Sequence, residues 1–296
     1  MAKARSRMPV VFFGHGSPMN TLERNRYTET WRRLGESIPT PKAILCVSAH
    51  WTTQGTAVTA MEKPKTIHDF YGFPQALFDV EYPAPGDPRL AARVRETLEP
   101  IEVQLDDSWG LDHGTWSVLK HVYPDADIPV VQLSIDGTQA PGFHYETGKR
   151  LAPLRGEGVL VVGSGNVVHN LRLMKRGGGP AFDWAVRFNE KVREALASRD
   201  HQALIDDRSG NARLGGELQA GSVGAVADHR GDLRRGCRAY DRLHVAAAAG
   251  DEDHDRFHGA ILARYSPPTL GRRAPPIYFC RESFGPNLAI LHPRAP

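Results

Sequence analysis

The chain has 296 residues, 41% of them hydrophobic, and a formal net charge of +3 at pH 7. Its length allows a large core, in one α/β domain or two smaller domains. The nearly balanced charge, without a basic patch interleaved with aromatic residues, argues against a nucleic-acid partner, and the lack of an apolar run of about 18 residues argues against a membrane span.

Short apolar runs alternate with helical patterns along the first two-thirds of the chain. The predicted strands lie at 10–14, 43–48, 129–134 and 158–163, and the predicted helices at 27–38, 87–98, 115–122 and 144–154. Asp87 and Pro88 are typical of a helix start, as cap and first-turn residue. Strands of about five residues between helices predict an α/β fold: a single domain with a mostly parallel central sheet flanked by helices.

Histidines follow three of these predicted strands. His15 and His50 come directly after the first two apolar runs, and His169 lies in the loop after the strand at 158–163. Ligand sites in such sheets lie beyond the carboxyl ends of the strands, and imidazole is a common ligand of zinc and iron. The spacing therefore permits a shared metal site, but it equally permits separate hydrogen-bonded loop histidines.

Two further segments combine a histidine with aromatic residues. His113, in WGLDHGTW, either lines a pocket for a planar ring or stays solvated beside a helix cap formed by Asp112. His68 and Asp69, in TIHDFYGFP, belong either to a substrate lid or to a packed surface loop. The residues alone leave both alternatives open.

Six motifs carry a resemblance to a known family. They are FFGHGSPMN, VSAHW, TIHDFYGFPQALFDVEYPAPG, WGLDHGTWSVL, YPDADIPVVQLSID and GSGNVVHNL. In this order they resemble the class III extradiol ring-cleavage dioxygenases, most closely the 4,5-DOPA dioxygenase branch. The resemblance covers about residues 8–205 and implies the same α/β fold.

The resemblance also implies site residues and chemistry. His15 and His50 match the metal-binding histidines of the family, and His169 matches the histidine of the GNVVHN motif, a metal ligand or acid/base. His113 matches the DHG histidine, which faces substrate and dioxygen. We therefore expect His15, His50 and His169 to be metal ligands and His113 and His169 to be catalytic. The implied cofactor is a divalent metal, Zn(II) or Fe(II).

The implied reaction opens the ring of a DOPA-like catechol with O2 and gives a semialdehyde. A non-catalytic metal- or partner-binding protein on the same fold is the alternative, since one fold hosts many functions. The three cysteines show no paired spacing, and the apolar run near the N-terminus is short for a signal peptide. We therefore expect reduced thiols and a cytoplasmic location.

The resemblance ends near residue 205. No lysine follows Lys191, while residues 206–296 contain 13 arginines and show little periodicity. We interpret residues 206–296 as a tail of irregular structure, and our hypothesis for its origin is a reading-frame shift; a divergent or disordered C-terminal region is the alternative. The alanine run at 246–249 supports the shift, because repeated GCT codons read one base later encode leucine. The family's last active-site histidine is not matched in this tail.

Overall fold

The computed structural model describes residues 7–169, residues 180–206 and the strand at 260–263. The strands are β1 (Val10–Gly14), β2 (Ala43–Thr53), β3 (Thr56–Thr59), β4 (Val103–Asp106), β5 (Val130–Asp136), β6 (Val159–Gly165) and β7 (Ala260–Ala263). The α-helices are α1 (Arg26–Ser37), α2 (Gln75–Phe78), α3 (Pro88–Leu98), α4 (His113–Val122), α5 (Pro141–Arg150), α6 (Asp183–Ser198) and α7 (His201–Ile205). Two 3-10 helices, Pro18–Thr21 and Ala152–Glu157, complete the described elements.

All seven strands form one sheet in the order β4-β3-β5-β2-β6-β1-β7. Neighbouring strands are parallel except at two places, where β3 pairs antiparallel with β5 and β1 pairs antiparallel with β7. The prediction of a single mostly parallel sheet flanked by helices is confirmed. β1, β6 and β2 lie side by side in the centre, so their carboxyl ends meet at one edge.

The alternation of side chains along β2 builds a core on each face of the sheet. Ile44 and Cys46 belong to a cluster that includes Trp31 of α1 and Leu119 of α4. Leu45 belongs to the opposite cluster, which includes residues of α3. Strands buried on both faces read as continuous apolar runs, which is why β2 and β5 could be found from the sequence.

Helix caps place the helix starts where the sequence indicated. The Asp87 side chain accepts hydrogen bonds from the backbone N–H groups of Arg89 and Leu90 at the start of α3. Asn25 and Thr28 form a capping box at α1. The Asp112 carboxylate accepts from the N–H of Thr115, so α4 begins at His113, two residues before the predicted start.

The structure differs from the sequence prediction at β2. The strand continues to Thr53, so His50 lies inside it rather than after it. Pairing with β6 stops at Ser48, and the register with β5 shifts between Val47 and Thr52. Such an irregularity re-aims the side chains within it, and it lets His50 reach the edge of the sheet from within a strand.

The remaining expectations concern the C-terminal tail and membrane-spanning helices. Residues 207–259 and 264–296 lie outside the described residues, and only the four-residue β7 represents the tail. The proposed irregularity and frame shift of the tail therefore stay predictions. Among the described helices, none is long and apolar enough to cross a membrane.

Candidate active site

Three histidines meet at the carboxyl edge of the sheet. His15 follows β1, His50 lies in the irregular part of β2, and His113 opens α4. One ring nitrogen from each falls within 4.8 Å of the others. The ring centroids of His50 and His113 are 3.9 Å apart, and those of His15 and His50 are 5.0 Å apart. We call these three residues the histidine cluster; all are largely buried.

The loop after β1 is fixed by backbone contacts on both sides of His15. The His15 N–H donates to the carbonyl of Gly165 at 3.1 Å, which continues the pairing with β6. The Gly16 N–H donates to Oδ1 of Asn166 at 2.9 Å, and Gly16 has a φ of 62°, a conformation that favours glycine. The Asn20 side chain donates to the His15 carbonyl.

A serine hydroxyl determines which nitrogen of His15 carries the proton. The hydroxyl of Ser164 donates its single proton to the carbonyl of Gly114, and its oxygen lies 2.9 Å from Nδ1 of His15. Since that oxygen has only acceptor capacity left, His15 carries its proton on Nδ1. Its Nε2 atom therefore presents a lone pair.

His15 and His50 have ring nitrogens at the spacing that a metal ion requires. Their Nε2 atoms are 3.3 Å apart. Two nitrogens bound tetrahedrally at about 2.0–2.1 Å from one zinc ion lie about 3.3–3.4 Å apart. Without an ion, only one proton shared between the two nitrogens relieves the repulsion of their lone pairs. The residues present thus fit a divalent metal.

Burial favours the neutral form of two histidines at the site. The pKa of His50 is held well below 6.5, chiefly by burial and next by the neighbouring His113. The pKa of His169 is lowered by burial and by His113. Both rings are therefore neutral at pH 7, and neutral imidazole is the form that binds metal.

A buried polar network between α4 and strands β2 and β5 supports the cluster. Asp112 is completely buried and accepts from the Ser48 hydroxyl at 2.7 Å and from the Gln132 amide. Thr115 donates to Gln132 at 2.8 Å. Burial, and next the charge of Asp69, raise the pKa of Asp112 to about 6. The network ties α4 to β2 and β5, and it fixes the end of α4 that carries His113.

Asp69 reaches the cluster from the segment TIHDFYGFP, which the sequence left open as either a substrate lid or a packed surface loop. Its side chain is 3% exposed, and Oδ1 accepts from the backbone N–H of His113 at 2.9 Å. The same oxygen lies 2.9 Å from Nδ1 of His113, and Oδ2 lies 3.5 Å from Nδ1 of His50. Although burial opposes it, the pKa of Asp69 is lowered to about 2 by His113 and next by His50. This segment is therefore part of the site.

Aromatic rings pack beside His113. The Phe70 ring meets that of His113 edge-on, with 5.5 Å between centroids. Trp116 is completely buried and donates from its indole nitrogen to the carbonyl of Ile67 at 2.8 Å, so it anchors this segment rather than lining an open pocket. Trp109 stacks on Trp51 with 5.7 Å between ring centroids.

The structure places three of the four predicted site residues in one group, and the fourth, His169, lies outside that group but near enough to lower the pKa of His50. His15 and His50 lie together as expected, and His113 joins them; His169 is not part of the three-histidine group. His113 is 6% exposed, so the interpretation as a solvated residue is wrong, although Asp112 does cap the helix. The assignment of His169 as a ligand stays a prediction.

Sequence reasoning did not identify Ser164, Ser48 or Asp69 as site residues. Only Asp69 had a signal, because it stood beside a histidine and three aromatics in a candidate lid. The serines contact partners that are 64 and 149 residues away along the chain. No local pattern reports contacts of that kind.

Comparisons with known proteins identify the family to which the chain is similar. The family model described as the catalytic LigB subunit of aromatic ring-opening dioxygenase matches residues 10–213. A 4,5-DOPA dioxygenase extradiol of Escherichia coli (strain K12) is 59% identical over 193 residues, 64% of this chain and 71% of that protein. The protein of the same name from Beta vulgaris is 39% identical over 204 residues, 65% and 74% of the two chains. The solved structure of an uncharacterized Escherichia coli K12 protein has a TM-score of 0.61 and 43% identity, and the match covers 81% of this chain and 87% of that one.

Proposed function

The chain belongs to the family of the catalytic LigB subunit of aromatic ring-opening dioxygenase and is an extradiol dioxygenase, and we propose that it opens a DOPA-like catechol in a metal-dependent reaction. The observation that carries the proposal is the 3.3 Å spacing of the Nε2 atoms of His15 and His50 within a buried histidine cluster. The DOPA-like substrate is proposed from the names of the two similar enzymes.

A divalent metal bound here, Fe(II) or Zn(II), would polarise the two adjacent oxygens of a catechol, and Fe(II) would in addition supply the electrons for O2 chemistry. His15 and His50 would hold this ion through Nε2. The protein's remaining task is to accept a phenolic proton. A histidine within reach of the substrate suits this role, because imidazole ordinarily exchanges its proton near neutral pH.

For the third ligand, we propose His169, with His113 as the proton-transferring residue that faces substrate. The matching GNVVHN and DHG motifs support this assignment. The histidine cluster favours an alternative assignment, in which His113 is itself the third ligand. A His113→Ala protein separates the two: it keeps its metal and loses ring cleavage by about 100-fold or more under the first, and it loses metal under the second.

The activity test uses the full chain loaded anaerobically with Fe(II), then mixed with DOPA and O2, with the yellow semialdehyde measured by absorbance. We expect colour from the wild type and none from His15→Ala or His50→Ala. His201→Ala is the matched control, because His201 lies on α7 against Tyr145, outside the cluster. A metal-loaded wild type that consumes neither catechol nor O2 would contradict the proposal.

A non-catalytic metal-binding role is the second candidate. It is favoured by the end of the family match at residue 213, because the resemblance implies a further active-site histidine that no motif in the tail matches. We propose that the tail arose by a frame shift and that restoring the family's frame raises turnover. Resequencing the gene tests this origin, and an intact frame that ends in the same tail would contradict it. We also propose a cytoplasmic location.

A further inference from the structure

One carboxylate oxygen beside the histidine cluster has no partner that accounts for its burial. Oδ2 of Asp69 is buried and, among the described residues, accepts no hydrogen bond. A buried acceptor left unsatisfied costs about 1–3 kcal/mol, and more when it is charged. Such a group needs an explanation in the site it faces.

The surroundings of Oδ2 identify the donor for which it is placed. A ring nitrogen, Nδ1 of His50, lies 3.5 Å from it. In a protein without metal, His50 can keep its proton on Nε2 and donate it to Nε2 of His15, 3.3 Å away. Its Nδ1 atom then has no proton to offer to Asp69.

Metal binding reverses this arrangement. When Nε2 of His50 becomes a ligand, the neutral ring must carry its proton on Nδ1. That nitrogen then becomes a donor directed at Oδ2 of Asp69. The oxygen without a partner is thus an acceptor for a proton that appears at Nδ1 when the metal is held.

The other oxygen of Asp69 is held by His113. Oδ1 accepts from the backbone N–H of His113 and lies 2.9 Å from its Nδ1 atom. That ring contact does not satisfy the geometry of a hydrogen bond, so it is a close electrostatic contact that favours a proton on Nδ1. One carboxylate thereby contacts two of the three clustered rings, and it is fixed to the backbone at the start of α4.

We propose that Asp69 is a positioning residue that directs the protons of His50 and His113 to Nδ1 and leaves their Nε2 atoms for the metal and the substrate. The use of the Nε2 atoms for the metal and the substrate rests on the proposed function. The protonation of the two rings on Nδ1 does not. Partners of this kind orient a ligating ring and raise its basicity, and their loss typically lowers metal affinity by about 10- to 100-fold.

The test compares Asp69→Asn with Asp79→Asn in the full chain. The amide keeps the shape of the carboxylate but removes its charge and presents an N–H₂ group. Asp79 belongs to the same stretch of chain and is exposed, and its carboxylate accepts from Gln75. It therefore controls for the change in charge alone. Thermal unfolding shows whether both variants fold.

The first measurement is the ¹⁵N chemical shift of the imidazole nitrogens in metal-free protein at neutral pH. We expect His113 of the wild type to be protonated on Nδ1, and we expect this preference to be lost in Asp69→Asn and kept in Asp79→Asn. A wild-type His113 protonated on Nε2 would overturn the proposal, and so would an unchanged pattern in Asp69→Asn. The wild-type reading holds even if the variant fails to fold.

The second measurement is Zn(II) affinity by competition with a chelator. We expect Asp69→Asn to bind Zn(II) about 10- to 100-fold more weakly than the wild type, and Asp79→Asn to stay within about twofold. Equal affinities of wild type and Asp69→Asn would overturn the proposal. If the wild type binds no metal and cleaves no catechol while the ¹⁵N pattern still depends on Asp69, the proposed function fails and the positioning role stands.

Discussion

Gly114 tests how tightly the start of α4 packs against the histidine cluster. A Cβ atom built at this position would lie 2.5 Å from Oγ of Ser48 and 2.9 Å from Cδ2 of His50. Ordinary contacts begin at 3.4 Å, so Gly114→Ala requires Ser48 to move by 0.9 Å and the His50 ring by 0.5 Å, the differences from 3.4 Å. Neither group has free space, because Ser48 is held by Asp112 and His50 lies in a strand.

The expected cost follows from these displacements. Overpacking of this kind costs about 1–3 kcal/mol, and the helix preference of alanine returns at most about 1 kcal/mol. Because two groups must move, the cost lies in the upper part of this range, about 2–3 kcal/mol, and we expect Gly114→Ala to lower the free energy of unfolding by about 1–2 kcal/mol, measured by urea denaturation. Because the His50 ring must move, we also expect Zn(II) affinity to fall by about tenfold or more.

Gly148→Ala is the matched control on α5. A Cβ atom at Gly148 would meet nothing within 4 Å. The substitution should raise the free energy of unfolding by up to about 1 kcal/mol and leave the metal affinity unchanged. If Gly114→Ala proves as stable as the control and binds Zn(II) like the wild type, the packing of α4 against Ser48 and His50 is not as described.

Two further predictions concern the donors of the cluster. Ser164→Ala removes the hydroxyl that contacts the Gly114 carbonyl and Nδ1 of His15. We therefore expect the free energy of unfolding to fall by about 1–3 kcal/mol and the Zn(II) affinity to fall by about 10- to 100-fold. Ser198→Ala, at an exposed hydroxyl, is the control and should change neither quantity. Burial lowers the pKa of His50 well below 6.5, so in metal-free protein only the unfolded ring takes up a proton as the pH falls below 6.5. This group therefore lowers the free energy of unfolding by up to about 1.4 kcal/mol for each pH unit below 6.5, until the folded ring also takes up a proton, and His50→Gln should flatten that dependence.

Each of these has a clear contrary result. A Ser164→Ala protein with wild-type metal affinity would show that the hydroxyl does not determine which nitrogen of His15 carries the proton. Equal pH dependence of unfolding in the wild type and in His50→Gln would show that His50 is not buried in its neutral form. Urea denaturation at several pH values, with chelator-treated protein, provides both comparisons.

The sequence predicted the parts of the fold that rest on local pattern. The apolar run at 43–48 marked β2, and Asp87 marked the start of α3, because burial on two faces and helix capping leave direct signals. The continuation of β2 to Thr53 left no such signal. It depends on pairing with β5 beyond a register shift, which is a tertiary property.

The sequence likewise predicted only part of the site. His15 and His50 were expected together from their positions after strands, and the structure places them together, although His50 lies within its strand. The inclusion of His113 follows from the start of α4 at that residue and from its contact with Asp69, 44 residues earlier. Contacts at that separation are determined by the packed fold, and no spacing rule contains them.

The described contacts also separate metal binding from turnover. The start of α4 fixes the cluster through three groups: the Gly114 carbonyl accepts from Ser164, the Asp112 carboxylate accepts from Ser48, and the His113 N–H donates to Asp69. Ser164, Ser48 and Asp69 in turn contact His15 and His50. All of these residues precede the tail. A fault in residues 206–296 would therefore reduce catechol cleavage before it reduces the affinity of the histidine cluster for a metal ion.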